Sequence, residues 1–244
     1  MESITIIGPG RSKAKYDISK LQNKVIFNFS GDLVWFCEND IYPTYWSFFD
    51  PNSVVQLLDK IQNHTNKPEW IEGLKTHTSI IFHNFQGTDD FYRNKFTTSR
   101  GLEWNREVFR KNILPLACSL FKHTIKLPQI ICPNNYDLFY NSELDGAPIL
   151  APENRVHMDK FMCYVIPTVL YYFKELKYIE CIGWGDFDEP RLEGSKSRGG
   201  YEAYKASYNM VKDKLIKLLQ YKKIEVGFNN KSSYFIELEN STKQ

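Results

Sequence analysis

Two short glycine turns hold the residues best suited to chemistry. The first, Gly8-Pro9-Gly10-Arg11-Ser12, follows the β-branched run Ile4-Thr5-Ile6-Ile7. Glycines directly after a strand let the backbone come close to a phosphate or a ribose. A helix opening there would add N–H groups and a partial positive charge. Arg11 and Ser12 would contribute charge-assisted hydrogen bonds to a phosphate. Neither the full GxGxxG fingerprint nor a P-loop is present, so an ordinary NAD or ATP site is not indicated. A plain tight turn accounts for the same residues. The second turn, Gly183-Trp184-Gly185-Asp186-Phe187-Asp188, follows Tyr178 to Ile182. Asp186 at a strand end can hold a ribose, or join Asp188 around Mg²⁺ or Mn²⁺. Two acids in a loop are also common by chance.

A third group, Asn154-Arg155-Val156-His157-Met158-Asp159, opens a long apolar stretch. Arg155 suits an anion. His157 suits a general base because its ordinary pKa lies near neutrality, and Asp159 is the second candidate. Helix capping by His157 and a dipole-offsetting role for Asp159 are the simpler alternatives. Asn28 and Ser30, at the end of a strand over Lys24 to Asn28, can read a base or a sugar hydroxyl, but both are also turn formers. Asp50 reads as a helix N-cap. Trp35, Trp46 and Trp184 can stack on a sugar or a base, or pack in the core.

These residues need elements to hold them. Ser3 to Gly8 reads as a buried parallel strand, followed by the turn and a short helix up to about Leu21. Further strands are expected at Tyr45 to Phe49, Thr78 to His83, Tyr178 to Ile182, Ile224 to Phe228 and Tyr234 to Leu238. Helices are expected from Asp50, with the stripe Val54, Val55, Leu57, Leu58 and Ile61, and over Glu103 to His123, with Pro115 kinking or splitting the latter. Arg155 to Leu176, bent at Pro167, and Tyr201 to Tyr221 complete the helices. Such alternation predicts one α/β domain over residues 1–244. Its mainly parallel twisted sheet carries helices on both faces, and irregular lid or insertion segments lie near 85–100, 127–152 and 188–200. Ligands in such sheets bind at the carboxyl ends of the strands.

Bulk composition narrows the function. The chain has 244 residues, 42% hydrophobic and 25% charged, enough for one sizeable core. A net charge of +2 supplies no field for nucleic acid. The five cysteines, Cys37, Cys118, Cys132, Cys163 and Cys181, form no CxxC pair and predict neither structural zinc nor a disulfide framework. Met1-Glu2-Ser3 has no basic or apolar leader, and no apolar run spans a bilayer. A cytoplasmic protein is expected; peripheral membrane contact stays open.

Three segments resemble the bacterial lipooligosaccharide sialyltransferases. Ile4 to Ser12 followed by Tyr16-Asp17 and Leu21 looks like that family's opening strand and glycine turn. Val25-Ile26-Phe27-Asn28 looks like the strand whose asparagine contacts the donor. Asn154-Arg155 through Met162-Cys163 to Gly185-Asp186-Phe187 looks like the motif that grips the nucleotide. The resemblance covers about a third of the chain. It implies a modified Rossmann, GT-A-like sheet with a lid, a nucleotide-sugar donor (CMP-sialic acid in the family), a glycan acceptor and metal-independent transfer. By the resemblance, Gly8, Gly10, Ser12, Asn28, Arg155 and Asp186 hold the donor. The chain departs from the pattern at Pro9, at His157-Met158-Asp159, and at 194–200, where the family's base histidine has no counterpart. Tyr201 and Tyr204 stand as candidates for the tyrosines that steady the leaving phosphate. Two other functions fit the same residues: an Mg²⁺-dependent phosphotransferase or pyrophosphokinase, and a catalytically silent nucleotide-binding protein.

Overall fold

The computed structural model describes residues 1–8, 10–29, 33–48, 51–63, 67–83, 96–97, 103–104, 106–127, 165–184, 201–229 and 233–243. Pro9, Ser30, Asp50, Arg155, His157, Asp159, Asp186 and Asp188 lie outside them, as do most of the three expected insertions. Seven strands form one sheet: β1 (Ser3–Ile7), β2 (Ile26–Phe29), β3 (Tyr45–Ser47), β4 (Ser79–His83), β7 (His123–Leu127), β8 (Tyr178–Ile182) and β9 (Glu225–Phe228). Their order is β7-β4-β3-β2-β1-β8-β9, and every pairing with a described register in this sheet is parallel. The expected α/β class with a parallel sheet is thus what the chain adopts. β5 (Phe96–Thr97) and β6 (Glu103–Trp104) make a separate antiparallel pair.

The chain divides into two compact units, Met1–Val25 with Gln129–Gln244, and Ile26–Pro128. In the first, β1 and β8 are buried because neither face of a parallel strand is left to water. Ile4, Ile6, Ile7, Ile179, Cys181 and Ile182 are all buried, and so are Val165, Val169, Leu215, Leu219 and Leu238 from its helices. The second unit packs an aromatic core on β3 and β4. Trp46 stacks on Phe121 at 5.3 Å between ring centroids, and Phe48 meets Phe82 and Phe109 at 6.0 and 6.3 Å.

Several elements differ from the sequence expectation, each for a local reason. The segment after β1 is two 3₁₀ turns, Arg11–Lys15 and Ile18–Leu21, instead of one helix. Asp17 interrupts it by accepting the Ser19 N–H at 3.1 Å and the Ser19 hydroxyl at 2.7 Å, a local bond that competes with helix. Glu103 to His123 is not one helix: it opens in β6, runs through Arg106–Val108 and Leu114–Cys118, and ends entering β7, which the sequence reading missed. Between the two helical pieces, Phe109–Ile113 widens into a π turn in which the Leu114 N–H donates to the Phe109 carbonyl. That extra residue absorbs Pro115, which has no N–H and whose ring would press on the preceding turn. Tyr234 to Leu238 belongs to a helix, Ser233–Thr242, not to a strand. Its Phe235 stacks on Phe228 at 4.5 Å, and its Thr242 hydroxyl accepts the Val226 N–H of β9 at 3.1 Å. Two helices that the sequence did not advertise, Leu33–Glu38 and Pro68–His77, flank β3 in the chain. The strand at 178–182 and the helix Tyr201–Lys222 fall where expected.

Candidate functional site

The chain leaves β1 for the strands of the second unit and returns to lay β8 against β1, with Ile7 beside Ile182. Outward travel ends and return travel begins between these two strands. The carboxyl ends of this pair are therefore the topological switch point, the place where open α/β sheets take ligands. Both glycine turns sit there, one residue past each strand.

The turns grip each other. The Gly8 N–H donates to the Ile182 carbonyl at 2.8 Å, and the Gly10 N–H to the Gly183 carbonyl at 2.9 Å. Gly183 has φ +72°, a left-handed conformation that glycine alone adopts without cost. A Cβ there would also lie 2.9 Å from the Gly8 carbonyl oxygen. The Gly183 N–H donates to Asn229 Oδ1 at 3.3 Å, and the Asn229 N–H to the Cys181 carbonyl at 3.0 Å. Among the described residues, the Gly8, Gly10 and Gly183 amides are all bound within the protein. The physical reason is that two parallel strands ending side by side extend their ladder into the turns.

The ring of Trp184 lies against Gly8. A side chain on Gly8 would meet its two ring-fusion carbons and Nε1. Those atoms lie at the middle of the indole, so the ring rests face-on over Gly8. Trp184 itself is half-buried. Trp46, by contrast, is fully enclosed in the aromatic core of the second unit and does not serve a site, while Trp35 packs edge-on against Phe36.

The Arg11–Lys15 turn carries two buried polar side chains, Ser12 and Lys13, the latter 1% exposed. Lys13 went unremarked in the sequence because one lysine among Arg11, Lys13 and Lys15 reads as solvated. Asn28 lies inside β2, beside Trp46 of β3, and is fully buried in the second unit. Tyr201 and Tyr204 fall in the first turn of the Tyr201–Lys222 helix.

A carboxylate holds the excursion that starts at the first turn. Glu180, in the middle of β8 and opposite Thr5, accepts from Thr5 Oγ1 and Tyr16 OH, each at 2.9 Å, and from Lys24 Nζ at 2.6 Å. Burial pushes its carboxyl up, but the bonds from Lys24, Thr5 and Tyr16 and the Lys24 charge outweigh this and leave its pKa below the usual value. Burial and the adjacent carboxylate both raise the Tyr16 phenol. Burial would lower Lys24, but the bond and charge of Glu180 raise it overall. The sequence did carry a signal for Glu180, a charge inside the apolar strand Tyr178 to Ile182, and for Asn229, a polar residue just past β9.

Among the described residues, no group of three or more His, Cys, Asp or Glu is placed to hold a metal ion. Cys37, Cys118 and Cys181 are free thiols, and burial pushes Cys37 up to about 12, so it is inert at neutral pH. Among the same residues, no helix is long and apolar enough to cross a membrane.

No protein-family model matches the chain, and no curated protein does. Solved structures do. The sialyltransferase CstII from Campylobacter jejuni, in complex with a substrate analogue, cytidine-5′-monophosphate, superposes with a TM-score of 0.52 at 14% identity. That match covers 100% of this chain and 87% of that one. The same sialyltransferase in complex with CMP-3FNeuAc gives a TM-score of 0.48 at 12% identity, over 100% and 88% of the two chains. At such identity the likeness shows a shared fold.

Proposed function

We propose that the chain is a glycosyltransferase that moves a sugar from a nucleotide-sugar donor to a glycan hydroxyl, with a CMP-activated sugar as the first donor to try. The observation that carries this reading is the pair of interlocked glycine turns at the β1–β8 switch point, in a fold that superposes along its whole length on a sialyltransferase bound to a cytidine nucleotide. The donor would lie across these turns, with its phosphate toward Arg11, Ser12, Lys13 and Arg155 and its ribose toward Asp186. The acceptor oxygen attacks the anomeric carbon as the bond from that carbon to the phosphate oxygen breaks. His157 or Asp159 takes the acceptor proton, and the nucleotide leaves with its phosphate charge neutralised by the basic side chains.

A melting series with CMP, UDP, GDP and ATP, with and without Mn²⁺ or Mg²⁺, tests the donor, because a ligand of the folded form raises its melting temperature. CMP should give the largest rise without a metal, and a CMP-sugar should release CMP when an acceptor glycan is present. The double variant His157→Ala, Asp159→Ala should keep the rise and lose the release. A rise with ATP and Mg²⁺ alone would turn the reading toward phosphoryl transfer. No rise with any nucleotide would leave a protein with no donor.

A further inference from the structure

We infer that Glu180 and Tyr16 are positioning residues for phosphate binding: the bond between them sets where the turn Arg11–Lys15 stands at the end of β1. The inference rests on the nucleotide-binding part of the reading above and adds the residues that hold its phosphate side in place. Three observations converge. First, the turn is fastened at both ends to β8 and its exit. The Gly10 N–H donates to the Gly183 carbonyl at 2.9 Å just before the turn, and the Tyr16 hydroxyl donates to Glu180 Oε1 at 2.9 Å just after it. Second, the turn is closed by its own main chain. The Lys13 N–H donates to the Gly10 carbonyl at 3.3 Å and the Tyr16 N–H to the Lys13 carbonyl at 3.1 Å, so a displacement of Tyr16 is passed along to Lys13. Third, Glu180 interrupts an apolar strand. Ile179, Cys181 and Ile182 beside it are buried, and its other oxygen accepts from Thr5 Oγ1 at 2.9 Å and Lys24 Nζ at 2.6 Å.

A carboxylate in mid-strand loses hydration that its partners only offset, and an apolar residue of similar volume would serve cohesion as well. What the charge adds is direction. Thr5 of β1 and Lys24, neither of them part of the turn, fix the carboxylate, so Oε1 is a stationary point from which the Tyr16 phenol is held. Lys24 Nζ also reaches the phenol oxygen at 3.4 Å. Both anchors of the turn, Glu180 and Gly183, lie along one stretch of extended chain, so the distance the turn must bridge is fixed. A phosphate feels a displaced donor strongly, because hydrogen bonds weaken steeply with distance and angle. The turn carries Arg11, Ser12 and Lys13, and Glu180 and Tyr16 act on the phosphate only through it.

Calorimetric titration of the full chain tests this with CMP, with ribose 5-phosphate, which lacks a base, and with cytidine, which lacks the phosphate and is read by its competition with CMP. Tyr16→Phe removes only the hydroxyl. It should weaken CMP and ribose 5-phosphate alike by about fivefold, the size of effect given by a residue acting through a packed neighbour, and leave cytidine unchanged. The combined variant Thr5→Val, Tyr16→Phe, Lys24→Met, Glu180→Leu should melt close to wild type, because apolar replacement of a whole ion pair is often neutral, yet bind CMP at least as weakly as Tyr16→Phe. If the combined variant does not fold, Tyr16→Phe decides alone. Equal losses for CMP and cytidine would mean a general structural role and overturn the inference. So would wild-type affinity for CMP in Tyr16→Phe, which leaves the proposed transfer reaction standing. Failure of the wild type to bind CMP or ribose 5-phosphate would remove both.

Discussion

Trp46 and Trp184 are the same residue type in the two units, one inside β3 and one just past β8, and their surroundings differ. Trp46 is in β3, stacked on Phe121 and tilted against Phe48, both side chains of the same core. Trp184 follows β8 and rests on a glycine backbone. The second unit uses aromatic area for cohesion. The first buries mostly Ile, Val and Leu, with Phe173 and Phe235 as its buried phenylalanines.

The largest effect separates the two at once. Trp46→Ala removes a fully buried ring and leaves a cavity beside Phe48 and Phe121, which costs about 3–5 kcal/mol. For a chain of this length that is a fall of about 10 °C in melting temperature. Trp184→Ala should cost clearly less in the same melt. Equal losses would break the distinction between a core tryptophan and a site tryptophan.

The next effect sharpens it. Gly8→Ala puts a methyl into the Trp184 indole and forces the ring off its seat, an overpacking cost of about 1–3 kcal/mol. With Trp184→Leu in the background the obstacle is gone. The same glycine substitution should then cost about 1 kcal/mol less, a coupling that a double-mutant cycle reads directly. Additive costs would mean that the ring over Gly8 does not constrain it.

What could be read from the sequence follows the same division. The strands β1 and β8 were legible because their apolar runs end in glycine. The use of those glycines was not legible: whether an N–H faces a ligand or a neighbouring carbonyl depends on which strands are adjacent, and β1 and β8 are joined across more than 170 residues of chain. The two tryptophans were indistinguishable for the same reason, since enclosure is a tertiary property. The helix Ser233–Thr242 was mistaken for a strand because Tyr234-Phe235-Ile236 has strand-forming residues, and propensity yields to packing against β9. β7 was missed because it is an edge strand whose residues His123, Thr124 and Lys126 are exposed, which removes the apolar signal.

The smallest effect concerns the carboxylate that ties the excursion after β1 to the sheet. Glu180→Gln keeps the shape and an acceptor oxygen but loses the charge that Lys24 meets. Lys24 and Glu180 side chains are 36% and 20% exposed, so solvent screens the pair and the cost at neutral pH is about 1 kcal/mol. Its pH dependence is the sharper signature. The folded-state pKa of Glu180 lies below its usual 4.5. The stabilisation is thus present above the unfolded-state pKa and disappears as pH falls through the lower folded value. Lys24 has the opposite sign: its folded pKa lies above the usual 10.5, so its share is present below that value and is lost as pH rises through the raised one. The melting-temperature gap between wild type and Glu180→Gln should therefore be widest from about pH 5 to 10 and close toward both extremes. Because Tyr16 OH bonds the same carboxylate, loosening it frees the segment carrying Arg11, Ser12 and Lys13. Nucleotide affinity should weaken in Glu180→Gln in the same pH range, equally for CMP and ribose 5-phosphate. Unequal losses would mean that Glu180 does not act through the segment after β1.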